Sequence, residues 1–270
     1  MVKQLLKHEF IYYIRTFGLF LPIVLAISLM TRVFFLFDNG HIVNTLAIAS
    51  SVIMLLVSCF ALIIMAVFVG IVRFYKNMYS SEGYLTFTLP VTNAQHIFVK
   101  LFVALIAEAA CLLTVILSIL IAFSGDALAE LIAIFENAFG ELAILAGVPN
   151  MILYGIELAL LVLVSAASNL LLFYACITIG QLAKKNRILL AVGAYFIYYT
   201  GTQVLATIFT ILFAILSATE ALNGILEWVA YNPIPAVHIY FIGILLFSAV
   251  LATVFWLVTQ RIMSKKLNLE

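Results

Sequence analysis

Charged side chains are scarce in this sequence. Only 9% of its 270 residues are Asp, Glu, Lys or Arg, where an ordinary soluble domain carries about 25%. With 66% of the chain hydrophobic, no soluble fold can hide the apolar surface. The scarcity excludes a soluble globular protein and points to a polytopic membrane protein, with the lipid bilayer as its first partner. A formal net charge of +1 provides no global basic field, so nucleic acid is not expected as a partner. Cysteine is scarce too. Cys59, Cys111 and Cys176 are odd in number and each lies in an apolar run. They read as packing residues and imply neither a disulfide framework nor a metal site. Proline is placed with the same economy. Pro90, Pro149, Pro233 and Pro235 sit in loops or at span ends, and Pro22 falls in the first turns of the first span, where a missing N–H is best tolerated. No apolar block has a Gly/Pro break at its centre, so the discontinuous helices of many ion-coupled transporters are not expected.

Catalytic motifs are missing as well. The sequence has no G-x-x-x-x-G-K-[ST], H-E-x-x-H, C-x-x-C or G-x-S-x-G, and the chemistry each supports is excluded by that route. His8, His41, His96 and His238 fall on four different elements, so no shared metal site is implied. The chain is expected to be neither an enzyme nor the holder of a cofactor or metal of its own.

What is present is length of apolar run. Six blocks, near 17–37, 45–74, 97–123, 151–182, 188–217 and 236–260, each exceed the roughly 20 residues that cross about 30 Å of hydrocarbon. Strands are unlike this pattern, because membrane strands are short and alternate. The fold class is therefore an all-α membrane protein with six transmembrane helices, forming one transmembrane domain over 1–270. Ahead of the first span, Val2, Leu5, Leu6, Phe10, Tyr13, Ile14 and Phe17 recur at helical spacing. Lys3, Lys7, His8 and Arg15 lie mostly off that stripe, the pattern of an interfacial helix over 2–17.

Charge fixes orientation. Every Lys and Arg except Arg32 falls at the ends that share a side with the N-terminus, while Asp38, Asp126, Glu130, Glu136, Glu141, Glu220 and Glu227 occupy the opposite loops. The positive-inside rule places both termini in the cytoplasm. The outer loops carry structure of their own. Residues 126–146 form an acidic amphipathic helix, with Leu128, Leu131, Ile132, Phe135, Phe139, Leu142 and Leu145 on one stripe. Residues 219–235 repeat the pattern in miniature, with Trp228 and Tyr231 at headgroup level.

Three charges fall within the hydrocarbon: Arg32, Glu108 and Glu157. Each costs roughly 2.5–3.5 kcal/mol on insertion scales, so each must face protein or a water-filled path. Arg32 and Glu157 lie at similar depth from the outer face and are expected to pair; Glu108 is deeper and has no obvious partner. Asn169 sits in a small, polar stretch of the fourth span with Ser165, Ala166 and Ser168, suited to packing against a helix or a second subunit. A mostly small stripe on the second span, Ala47, Ser51, Met54, Ser58, Ala61 and Met65, suits the same role.

Between the second and third spans stands a polar island, residues 73–96, with five aromatics and one acid over 73–90. A structureless loop of that length is unusual. Thr92 and Gln95 form a capping box, which starts the third helix at Asn93. Tyr79, Glu82, Gly83, Tyr84, Leu85 and Phe87 then make a compact piece, either packed on its own helix ends or presented to a soluble partner.

The run from Arg73-Phe-Tyr-Lys-Asn through Ser-Glu-Gly-Tyr-Leu-Thr-Phe-Thr-Leu-Pro90, followed by Ile97-Phe-Val-Lys-Leu101, resembles the cytoplasmic loop of ABC-2 type transporter permeases from Gram-positive, gut-type bacteria. The start, Leu5-Leu-Lys-His-Glu-Phe10, and the end, Lys265-Lys-Leu-Asn-Leu-Glu270, are similar to that group. The resemblance implies a bacterial plasma-membrane exporter subunit working by alternating access. Residues 2–17 would connect to the first span, and the island would be the coupling helix. A second permease chain, identical or not, would pair with it. Two copies of a separate ATPase subunit, carrying ATP and magnesium, would dock beneath. The segment before the sixth span would be the outer re-entrant piece. Two alternatives compete: a proton-coupled secondary carrier relaying through Glu108 or Glu157, and a membrane-embedded enzyme.

Overall fold

The computed structural model of the chain describes residues 2–37, 40–80, 83, 90–219 and 221–265. Among them the ordered elements are helices, with no strand: α1 (Val2–Leu36), α2 (Ile42–Tyr79), α3 (Asn93–Ala122), α4 (Asp126–Gly180), α5 (Arg187–Ala218), α6 (Asn223–Tyr231) and α7 (Pro233–Lys265). Six stretches are long and apolar enough to span a membrane: α1, α2, α3, Ala146–Gly180 of α4, α5, and α7. The chain packs as two compact units, Met1–Leu145 and Ala146–Glu270.

In the first unit, α1 packs on α3 and α2, and α2 on α3. α1 is one unbroken helix of 35 residues, about 52 Å long. The segment 2–17, expected as a separate interfacial element, continues into the first span without a break. The change from charged to apolar composition does not interrupt the backbone ladder. Pro22 consequently stands inside the helix, not in its first turns, and its missing N–H leaves the Gly18 carbonyl without its usual partner.

α3 begins at Asn93 behind the expected capping box: the Gln95 N–H donates to Thr92 Oγ1 at 3.4 Å, and the Thr92 N–H to Gln95 Oε1 at 3.1 Å. The buried face of α2 runs through Ser51, Leu55, Cys59, Leu62, Ala66, Val69 and Phe74. Of the small stripe expected there, Ser51 is buried while Met54 and Ala61 are exposed. The packing face is thus the larger, more apolar one. At the basic end Phe74, Met78, Ile97 and Val99 are fully enclosed. Toward the other end small hydroxyls fill the seam, and Thr31 Oγ1 donates to the Ser51 carbonyl at 3.4 Å.

α4 has two arms. Gly147 separates them with φ 76°, a left-handed angle that glycine adopts without a Cβ penalty, and Pro149 follows where it suits the first turn of the second arm. The acidic segment 126–146 is helical, as expected, and forms the first arm. In the second unit the core lies along Leu170, Leu171, Tyr174 and Cys176, with Thr259 and Met263 of α7 also buried. Tyr195 of α5 stacks on Phe173, with ring centroids 5.4 Å apart, and Tyr198 meets Phe255 edge-on at 5.4 Å. Even so, no residue of α5 is buried. The nine-residue α6 packs on α7 and leaves Tyr231 exposed.

Candidate functional site

The most concentrated polar cluster in the first unit sits where the 73–96 loop joins its two helices. Glu9 of α1 is 2% exposed. Its Oε2 accepts from Arg73 Nε at 3.1 Å, and its Oε1 accepts from Lys100 Nζ at 2.9 Å and from Asn77 Nδ2 at 3.0 Å. All three partners are donors, so both carboxyl oxygens serve as acceptors, the role of an ionised carboxylate. Lys100 is 3% exposed and Arg73 18%. The Arg73 guanidinium also lies 4.0 Å from the Tyr12 ring centroid, a cation–π contact that fixes the plane of its fork.

Helical spacing builds this cluster. On α1, Glu9 occupies the buried register continued by Tyr13 and Phe17. On α2, Arg73 and Asn77 are one turn apart and share a face. On α3, Lys100 stands beside buried His96 and Ile97. One carboxylate thereby ties the helix entering the loop and the helix leaving it to the same point on α1. The arrangement is a clasp that joins both loop roots to α1.

Two of the expected loop residues are described. Tyr79 packs edge-on against Phe74, centroids 5.9 Å apart. Gly83 is buried and its N–H donates to the Ser80 carbonyl at 2.8 Å. A Cβ at Gly83 would stand 2.7 Å from the Met78 carbonyl oxygen, so the backbone comes close here because the side chain is absent. Glu82, Tyr84, Leu85 and Phe87 lie outside the described residues.

The residues expected within the membrane are distributed over both units. Arg32 places its guanidinium against Gly125, with Nη2 2.9 Å from where a Cβ there would stand. Glu108 is half-buried on α3 and its Oε1 has no hydrogen-bond partner among the described residues. Glu157 finds its partner in its own unit: its Oε1 is 2.8 Å from Nδ1 of His238 on α7. That partner is a histidine that sequence spacing had set aside as isolated. Tyr154 covers that pair, its ring centroid 4.5 Å from the imidazole, and its hydroxyl donates to the Ile234 carbonyl at 3.3 Å. Asn169 is exposed, beside buried Ser168.

Sequence reasoning missed Glu9 and His238. Glu9 carried a signal: it is an acid on the apolar stripe of 2–17, whereas the bases lie mostly off it. His238 carried none, since its partner is 81 positions away. Among the described residues, no three His, Cys, Asp or Glu side chains form a group able to hold a metal. Compared with protein-family models, curated proteins and solved structures, the chain matches none.

Proposed function

We propose that this chain is the membrane-spanning permease subunit of an ATP-driven exporter of the ABC-2 type. The observation that carries the reading is the Glu9 clasp. A loop that receives force from a soluble partner needs both of its roots joined to the spans it moves, and Glu9 joins Arg73, Asn77 and Lys100 to α1. The composition of the loop and its resemblance to permease coupling loops add support. In this reading the basic ends face the bacterial cytoplasm, ATP and magnesium reside on two copies of a separate ATPase chain, and closure of those subunits pushes on 73–96. A second permease chain completes the path; the wholly unburied α5 is suited to such a neighbour or to lipid.

The test is a mild-detergent pull-down of the tagged protein from its host, read by mass spectrometry. A P-loop ATPase at near-stoichiometric level is expected, lost on Leu85→Asp and uncoupled from transport on Glu82→Lys. If both variants keep ATPase binding and transport, the loop is not the docking site.

A second reading rests on the Glu157–His238 pair: a proton-coupled carrier in which one of these groups, or Glu108, relays the proton. It is preferred if no ATPase is captured and nucleotide-free vesicles transport on a pH gradient alone.

A further inference from the structure

An apolar groove of about 300 Å³ runs between α1 and α3. Its walls include Phe10, Ile14, Phe17 and Gly18 of α1, with Val103 and Ala107 of α3. It opens outward at Gly18, where a Cβ would meet nothing within 4 Å, and along Ile14, which is exposed. The α1 wall repeats at helical spacing. Continued toward the N-terminus, the edge of this face that carries Gly18 and Ile14 passes through Lys7 and Lys3, beside the apolar stripe, and both are exposed. Lys7 precedes the first groove residue by three positions, about 5 Å along the axis. The groove therefore has an apolar body, and two exposed cations follow one and two helical turns beyond its N-terminal end. The other nearby ammonium, Lys100, is already held by Glu9.

We propose that this groove holds one acyl chain of an anionic phospholipid whose phosphate rests on Lys3 and Lys7. A free phosphate would have no use for the apolar slot, and a neutral lipid none for the paired cations. A lipid with both features fits the order of the two along the helix, phosphate first and methylenes next. The lipid would wedge between α1 and α3 just past the Glu9 clasp. This holds whether or not the chain is an exporter.

The test uses the full chain in mild detergent with equimolar phosphatidylglycerol and phosphatidylcholine, and native mass spectrometry to count retained lipid. The wild type is expected to keep one phosphatidylglycerol over phosphatidylcholine by a ratio on the order of tenfold. Lys3→Gln with Lys7→Gln should bring the ratio near one while total retained lipid stays. Gly18→Phe should fill the slot and lower retention of both lipids, and the open space there lets the larger side chain be accommodated; an unchanged circular dichroism spectrum verifies the fold. Equal retention of the two lipids by the wild type overturns the proposal. So does a phosphatidylglycerol preference that survives both variants, or a Gly18→Phe variant that keeps its lipid but loses self-association, which would make a second copy the occupant.

Discussion

Without the Glu9 carboxylate, Arg73 and Lys100 lose the anion they share. Removing one partner of a buried ion pair costs about 3–5 kcal/mol, because the remaining charge has been taken out of water. Glu9→Ala is therefore expected to destabilise the first unit by that amount, read as a fall in thermal midpoint of the purified protein. Glu9→Leu combined with Lys100→Met should cost much less, since an apolar pair replaces the buried one and Arg73 keeps a route to the surface at 18% exposure. A Glu9→Ala variant that melts with the wild type would deny the clasp any structural role. Residue-level pairings were the least legible part of the sequence. Glu9 reaches partners 64, 68 and 91 positions away, and no local pattern specifies which distant helix brings a cation to a given turn. For Glu157, likewise, no local pattern pointed to His238, 81 positions away on α7.

Elements were far more legible. Length and hydropathy suffice to define a membrane helix, and local side-chain chemistry defines its ends. Thr92 and Gln95 placed the start of α3 at the residue, because a capping box is a contact among neighbours in the chain. Thr92→Ala should cost about 1 kcal/mol and raise amide exchange in the first turn of α3, with the centre of the helix unaffected; uniform exchange across α3 would remove the cap from the account. The join of 2–17 to the first span was not legible. A helix crossing from headgroups into hydrocarbon changes its side chains without changing its backbone bonding, so a composition boundary looks like an end where none exists. On α2 larger apolar residues make the buried face, and Met54 and Ala61 of the small stripe stay exposed, as a subunit seam would need.

For the whole molecule, charge asymmetry makes a directional claim. Lys184 is exposed between α4 and α5, and Gly224 is exposed on α6 with open space about it. The three native cysteines are buried, so single introduced cysteines report cleanly. A membrane-impermeant maleimide should label Gly224→Cys in intact cells and Lys184→Cys only in inverted vesicles; the reverse pattern would invert the positive-inside assignment. The division into Met1–Leu145 and Ala146–Glu270 was not anticipated, although Gly147 and Pro149 stand at its border. The clasp also has a consequence for biosynthesis. The ribosome makes Glu9 first, Arg73 follows 64 positions later, and Lys100 follows 91 positions later. At about 5–20 residues per second, the carboxylate waits on the order of 5–20 s for its last cation. Through that interval the nascent first helix waits for the cations that hold its carboxylate in the folded chain, so joint release of α1, α2 and α3 from the insertion machinery is the order that the clasp favours.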